Sequence, residues 1–127
     1  MFKGVHHTAV ICSDYKKSKE FYVEKLGLEV AAENYREDKK SYKLDLKVNG
    51  KYQIELFSFP NPPKRVSKPE ACGLRHIAFE VEDIEESLKK LIKAGIECEP
   101  IRIDEYTGKK FTFFQDPDGL PLEIYEM

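Results

Sequence analysis

The protein has 127 residues, of which 41% are hydrophobic and 12% aromatic, enough for one hydrophobic core but short for two independent domains. The 21 basic and 23 acidic side chains are scattered without a basic tract, which argues against nucleic acid as a partner. No segment is long and apolar enough to span a bilayer, the start does not look like a signal peptide, and the three cysteines lack Cys-x-x-Cys spacing. We therefore expect a cytoplasmic protein with no membrane partner, no disulfide framework and no thiolate zinc site.

The first half of the chain predicts one βαβββ unit, at about residues 4–59. Val5 to Cys12 is rich in β-branched residues and predicts a strand. A helix is predicted to follow, capped by Ser13 or Asp14 and ended by Gly27, a residue that tolerates the left-handed backbone of helix ends. Asn49-Gly50 is a strong two-residue hairpin signal. The three remaining strands are predicted at about residues 28–36, 41–48 and 51–59.

A proline-rich segment then separates the first unit from a second βαβββ unit. The predicted linker covers residues 60–73, and four of the ten residues 60–69 are proline. In the second unit, at 74–127, Asp83 is predicted to cap a helix that ends at Gly95 and that buries Ile84, Leu88, Leu91 and Ile92. The later strands are predicted at about residues 96–103, 109–115 and 121–126, with the last turn at Asp116-Pro117-Asp118-Gly119.

The two units repeat one pattern of residues. His7, Ala9, Asp14, Ser18 and Gly27 recur as His76, Ala78, Asp83, Ser87 and Gly95, at offsets from the histidine of 2, 7, 11 and 20 in the first unit and 2, 7, 11 and 19 in the second. Glu55 lies 48 residues after His7, and Glu123 lies 47 residues after His76, each within an apolar run. The chain is therefore an internal duplication, and each copy carries one histidine and one glutamate.

Strand alternation predicts the direction of these four side chains. If Ile54 and Leu56 pack under the helix, Glu55 projects from the opposite face of its strand, and the same argument applies to the other three. A single histidine or glutamate in a strand is usually only a hydrogen-bonded residue, but here that explanation would have to hold four times. Two imidazoles and two carboxylates suit a divalent Ni, Zn, Co or Mn ion with open positions for a substrate. His6 should point to the other face and is not counted as a ligand.

These motifs also carry a family resemblance over essentially the whole chain. His7-x-Ala9, Ile54-Glu55-Leu56, His76-Ile77-Ala78-Phe79 and Asp116-Pro117-Asp118-Gly119-x-x-Leu122-Glu123 resemble the glyoxalase, bleomycin-resistance and extradiol-dioxygenase superfamily, also called vicinal oxygen chelate (VOC). The resemblance implies a single α+β domain over residues 1–127, in which two tandem βαβββ units form curved mixed sheets around a metal site.

The order His, Glu, His, Glu is similar to glyoxalase I and implies metal ligation by His7, Glu55, His76 and Glu123. Related methylmalonyl-CoA epimerases tend to carry Gln at the second position, and extradiol dioxygenases use a two-His, one-carboxylate iron site. The resemblance implies a lactoylglutathione lyase-like metalloenzyme, a lyase or isomerase for a small α-oxo aldehyde–thiol adduct or a related vicinal-oxygen substrate. Glu123 would be the base and Glu55 would assist, with a thiol as co-substrate.

The sequence indicates less about the substrate-binding residues and the oligomeric state than about the metal ligands. Five side chains could supply a cation or a hydroxyl near the mouth of the site: Arg36, Lys43, Arg75, Tyr106 and Lys110. Two alternatives stay open, namely a sequestering protein of the bleomycin-resistance type and a metal-dependent epimerase or thiol transferase of the same superfamily. We expect a homodimer, in which the site forms either within one chain or across two chains.

Overall fold

The computed structural model of the protein describes residues 1–127 and consists of two compact units, residues 1–64 and 65–127. Each unit contains a mixed four-stranded sheet, which agrees with the predicted α+β class and the repeated β-rich unit. The division between Lys64 and Arg65 falls inside the segment predicted as a linker. None of the helices is long and apolar enough to cross a membrane.

The first unit has its strands in the order β1-β4-β3-β2, with β1 parallel to β4 and the other neighbours antiparallel. Its elements are β1 (Thr8–Cys12), α1 (Tyr15–Lys19) continued by a π-helix (Glu20–Lys25), β2 (Glu29–Arg36), a 3-10 turn (Glu37–Lys39), β3 (Ser41–Val48) and β4 (Lys51–Ser58). The first strand is shorter than predicted, because pairing with β4 begins at Thr8 rather than at Val5.

The helix of the first unit begins as predicted but changes its winding. The Asp14 carboxylate accepts a hydrogen bond from the Lys17 amide at 3.1 Å, so Asp14 is the N-cap. From Glu20 onward the winding is π-helical, and the adjacent Phe21 and Tyr22 are both buried. The wider turn therefore lets two consecutive aromatic side chains enter the core. Gly27 follows with φ +76°, the left-handed conformation expected at a helix end.

The core of the first unit lies between this helix and the sheet. Leu44 and Leu46 of β3 and Ile54 and Leu56 of β4 are almost fully buried, together with Cys12 of β1. Their spacing of two residues places one face of each strand in the core. Glu55, between Ile54 and Leu56, must then lie on the other face of the sheet.

The second unit repeats this topology with the strand order β5-β8-β7-β6. Its elements are β5 (Ile77–Val81), α2 (Ile84–Lys93), β6 (Arg102–Ile103), β7 (Lys110–Gln115) and β8 (Pro121–Glu126). The Asp83 carboxylate caps α2 by accepting from the Glu86 amide at 3.1 Å. In the last turn the Asp116 carboxylate accepts from the amides of Asp118 and Leu120, both at 2.9 Å.

Two predictions for the second unit are wrong. The strand predicted at 96–103 is reduced to Arg102 and Ile103, and the segment before it includes Pro100, which has no amide hydrogen for a sheet ladder. In α2, Ile92 is 57% exposed although its neighbour Leu91 is buried, because successive helical residues point about 100° apart. Cys12 is buried, whereas Cys98 is only half-buried.

Candidate metal centre

His7 and Glu55 form the first His/Glu pair. His7 immediately precedes β1, whose parallel pairing with β4 sets Ala9 opposite Glu55. The His7 Nε2 and Glu55 Oε2 atoms are 3.5 Å apart, and Glu55 is 8% exposed. The register of the two parallel strands therefore brings together two residues that are 48 positions apart in the sequence.

His76 and Glu123 form the second pair in the same way. His76 immediately precedes β5, and the parallel pairing of β5 with β8 sets Ala78 opposite Glu123. The His76 Nε2 and Glu123 Oε2 atoms are 3.0 Å apart, and Glu123 is again 8% exposed. The duplication thus extends from the sequence to the register and to the direction of the side chains.

The donor atoms of each pair have the separation that a shared metal ion requires. Two ligands bound at about 2.0–2.2 Å to one ion, at an angle of about 90–110°, are themselves roughly 3.0–3.5 Å apart. The observed distances of 3.5 Å and 3.0 Å span this range. An ordinary hydrogen bond explains the shorter distance but poorly explains the longer one. The imidazole and carboxylate donors of each pair therefore fit a divalent ion.

The first pair lies beside further polar groups that the sequence did not predict. Asp45 of β3 is the cross-strand neighbour of Glu55 and is equally buried. The Lys43 ammonium lies 2.6 Å from Asp45 and 3.6 Å from the Glu55 carboxylate, and the hydrogen bond from Lys43 to Asp45 raises the pKa of the lysine. The Tyr52 hydroxyl donates a hydrogen bond to Glu55. Burial and this hydrogen bond raise the pKa of Tyr52 to about 12, so the phenol stays protonated at neutral pH.

A β-bulge places Tyr52 beside Glu55. Two residues three positions apart on a regular strand point to opposite faces of a sheet. Between β3 and β4 the pairing changes from Leu46 with Ile54 to Lys47 with Tyr52, so that Gln53 is an extra residue on β4. The inserted residue restores Tyr52 to the face that carries Glu55. Regular alternation predicts the opposite face, which is why this contact could not be read from the sequence.

The second pair has an aromatic environment instead. The cross-strand neighbour of Glu123 is Phe113, at the position that Asp45 has in the first unit. The rings of His76 and Phe113 meet edge to face, with their centroids 5.1 Å apart. The two His/Glu pairs thus share their geometry but differ in what surrounds them, because Phe113 takes the place of Asp45 beside the glutamate of the second unit.

The expected direction of His6 is wrong. Both histidines precede the first residue of β1, so the alternation of a strand does not apply to them. The Nδ1 atoms of His6 and His7 are 2.8 Å apart, and the His6 ring lies 5.3 Å from the ring of Tyr52. His6 therefore belongs to the surroundings of the first pair.

The five predicted substrate-binding residues have different environments. Lys43 lies at the first pair, and Arg36 lies over the rings of Phe57 and Phe59. Arg75 is 73% exposed in its side chain and binds Glu70, and Tyr106 is 90% exposed.

Lys110 lies on the helix side of its sheet, where its ammonium is 3.0 Å from Glu85 of α2. Arg36 and Lys43 are thus the two that share the first unit with His7 and Glu55.

A second group of acidic residues has a structural explanation. Asp83, Glu85 and Glu126 bring one carboxylate oxygen each within 4.8 Å of one another. Asp83 caps α2, and Glu126 accepts a hydrogen bond from the Ile84 amide at 3.0 Å. The first turn of a helix favours negative charge, so this group stabilises the N-terminus of α2.

Comparisons with known proteins identify the family. The Glyoxalase/Bleomycin resistance protein/Dioxygenase superfamily matches residues 4–124. The chain belongs to this superfamily. It is 61% identical over 126 residues to the uncharacterised protein YwkD of Bacillus subtilis, covering 99% of this chain and 98% of YwkD. A crystal structure of a glyoxalase family protein from Enterococcus faecalis has 56% identity and a TM-score of 0.91, with 98% of each chain covered.

Two more distant matches are named for other functions. A 2-epi-5-epi-valiolone epimerase from Actinomyces is 26% identical over 145 residues, which cover 98% of this chain and 79% of the epimerase. The fosfomycin resistance protein FosX of Listeria monocytogenes was crystallised with Mn(II) and dihydroxypropylphosphonic acid. FosX shares 19% identity and a TM-score of 0.76, with 100% of this chain and 94% of FosX covered, and thus shows a common fold alone.

Proposed function

We propose that the protein is a metal-dependent lyase or isomerase of the glyoxalase I type, acting on a small α-oxo aldehyde–thiol adduct or a related vicinal-oxygen compound. The observation that carries the proposal is the repeated convergence of a histidine Nε2 and a glutamate Oε2, at 3.5 Å in one unit and 3.0 Å in the other. His7, Glu55, His76 and Glu123 are the proposed ligands of one Ni, Zn, Co or Mn ion.

The chemistry of the donors supports this assignment. Glu55 and Asp45 are two buried carboxylates on neighbouring strands, and burying such a pair is costly unless cations compensate them. Lys43 provides one positive charge, and a divalent ion would provide two more. When bound, the ion supplies Lewis-acid chemistry, which polarises neighbouring oxygens of the substrate and stabilises the negative charge that develops on them.

The surroundings of the two glutamates support different roles. Glu55 accepts a hydrogen bond from Tyr52 and lies 3.6 Å from the Lys43 ammonium, so its carboxylate is held in one orientation. No hydroxyl or ammonium group contacts Glu123, whose neighbours are His76 and Phe113. Glu123 is therefore the proposed base that moves a proton between adjacent carbons of the substrate, and Glu55 assists by positioning.

Metal content is the first experiment. We expect purified protein reconstituted with Ni²⁺, Zn²⁺, Co²⁺ or Mn²⁺ to retain a stoichiometric ion by mass spectrometry, and His7→Ala and Glu55→Gln to lose it. Glu85→Gln is the matched control, since it removes one carboxylate of the acidic group at α2. A wild type without metal, or retention in both ligand variants, would contradict the proposal.

The reaction itself needs a separate assay. Methylglyoxal mixed with several thiols should be converted by the metal-loaded protein, and Glu123→Gln should lower kcat by about 100-fold or more if Glu123 is the base. No turnover with any thiol would remove the glyoxalase assignment and leave the metal site intact.

Epimerisation is the second candidate, favoured by the similarity to an epimerase at 26% identity. It uses the same proton transfer without a thiol. Exchange of a substrate C–H proton for deuterium in D2O, in the absence of any thiol, would favour it over the glyoxalase reaction. A sequestering protein would bind its ligand without exchange.

A further inference from the structure

Arg36 lies on the same face of the first sheet as Glu55. Its cross-strand neighbour is Ser41. Every second residue of β3 points to the same face, so Ser41 and Lys43 share the face of Asp45, which is paired with Glu55. The guanidinium carbon is 4.9 Å from the ring centre of Phe57, and one Nη donates a hydrogen bond to the Ser41 hydroxyl at 2.8 Å. Arg36 is thus held against this face and is only partly exposed.

The positive charge of Arg36 has no carboxylate partner. No Asp or Glu oxygen lies within 4.0 Å of its guanidinium, whereas Lys43 on the same face has both Asp45 and Glu55. In addition, the Nε of Arg36 is buried and has no hydrogen-bond acceptor. Buried donors in folded proteins are nearly always satisfied, so the protein alone does not use the full hydrogen-bonding capacity of Arg36.

The second unit contains a contrasting arginine. Arg102 lies over Phe111 and Phe113, with its guanidinium carbon 5.0 Å and 5.7 Å from the two ring centres. Its guanidinium is also 3.6 Å from the Glu99 carboxylate. The two arginines therefore share the aromatic support and differ in the presence of an acidic partner. Aromatic packing alone does not explain why Arg36 lacks one.

The position of Arg36 relative to Glu55 indicates how long a molecule that reaches both residues must be. Phe57, on which the guanidinium rests, follows Glu55 by two residues on the same face of β4. Two residues of a strand correspond to about 7 Å. A group bound by Arg36 would therefore lie roughly 7 Å along the strand from the Glu55 carboxylate, a distance that a chain of three to five atoms can span.

We propose that Arg36 binds a terminal oxyanion of the substrate, a carboxylate or a phosphate, while the vicinal oxygens of the same molecule lie at Glu55. The planar guanidinium presents paired N–H donors that match the geometry of such a group. This inference rests on the proposed function of the metal centre and adds the class of substrate, namely a short vicinal-oxygen compound with an anionic end.

We test the proposed role of Arg36 by measuring, with calorimetry on metal-loaded protein, the affinities of two matched pairs of small molecules. Dihydroxyacetone phosphate is compared with dihydroxyacetone, and 2-oxoglutarate with 2-oxopentanoate, so that within each pair the main difference is the terminal anion. We expect the charged member of at least one pair to bind about tenfold or more tightly. The pair that shows the preference distinguishes a phosphate from a carboxylate.

The variant Arg36→Met keeps an apolar stem on the phenyl rings and removes the charge. It should abolish the preference for the charged member, while Arg102→Met, the matched control, should retain it. Arg36→Lys keeps the charge without the paired donors and should retain only part of the preference for the charged member. Thermal unfolding of all three variants establishes that they are folded.

The inference is overturned if the wild type prefers neither charged member, if Arg36→Met retains the preference, or if Arg102→Met loses it equally. Metal content is measured in the same samples to separate the two proposals. If no metal binds, both pairs are measured on metal-free protein. An Arg36-dependent preference there would leave the anion site at Arg36 standing and remove the proposed enzyme function, whereas its absence would overturn both.

Discussion

At the scale of single residues, the first His/Glu pair depends on Tyr52. Its hydroxyl donates to Glu55 and, together with the Lys43 ammonium, holds this carboxylate beside His7. Partners of metal ligands typically contribute 10–100-fold to metal affinity. We therefore expect Tyr52→Phe to weaken metal binding by about that factor, measured by competition with a chelator. Tyr42→Phe makes the same chemical change on the helix side of the sheet and should have no effect on metal affinity; equal affinities in all three proteins would contradict the role of Tyr52.

Glu33 provides a pH-dependent contribution to stability that is separate from the metal centre. Its carboxylate accepts hydrogen bonds from the Lys19 ammonium at 2.8 Å and from the Tyr15 hydroxyl, and both lower its pKa below the usual 4.5. A lowered pKa in the folded state stabilises the fold above about pH 4.5, and this contribution is lost as the pH falls through the folded pKa.

We expect Glu33→Gln to lower the free energy of unfolding at pH 7 by no more than about 1 kcal/mol, because both partners are more than one-third exposed. The difference from wild type should shrink as the pH approaches 3. Urea unfolding across this pH range measures it, with Glu24→Gln as the control. A difference that is constant with pH would mean that the Glu33 charge is not the cause.

At the scale of elements, the N-terminus of α2 depends on one cap. Asp83 accepts from the Glu86 amide, and we expect Asp83→Ala to destabilise the protein by about 1 kcal/mol in urea unfolding. Asp83→Asn keeps a capping oxygen and should cost much less. If both substitutions cost the same, the lost charge beside the helix N-terminus would explain the effect better than the lost hydrogen bond.

The elements also show what sequence could and could not predict. The superfamily was indicated by the resemblance of the His and Glu motifs, and the repeated βαβββ pattern and the cap residue Asp83 follow from local periodicity and spacing, because those signals depend on neighbouring residues. Tyr52 reaches Glu55 only because Gln53 is an extra residue in the pairing of β4 with β3. That insertion depends on register between strands, and local alternation carries no information about it.

At the scale of the whole molecule, the duplication preserves one feature and varies another. Both units keep a histidine before a strand and a glutamate on the parallel neighbour of that strand, 3.5 Å and 3.0 Å apart. The cross-strand neighbour of the glutamate has changed from Asp45 to Phe113. We expect this combination if both pairs bind one ion and only the residues around the first pair bind the charged part of a substrate.

The proposal of one shared ion makes a prediction that tests both units together. Two double variants each remove one pair, namely His7→Ala/Glu55→Gln and His76→Ala/Glu123→Gln. Each should bind metal more than about 100-fold more weakly than wild type, because removing two ligands should cost more than removing the hydrogen-bond partner of one ligand. Chelator competition measures this, and light scattering measures whether the proteins are the expected homodimers.

Co-expression of the two double variants then distinguishes the two possible assemblies. If each site takes one pair from each of two chains, a mixed dimer contains one complete site, and part of the metal binding returns. If each site forms within one chain, every site in the mixture lacks a pair and no binding returns. Strong metal binding by either double variant alone would instead mean that one His/Glu pair is sufficient, and the duplication would then provide two independent sites rather than one.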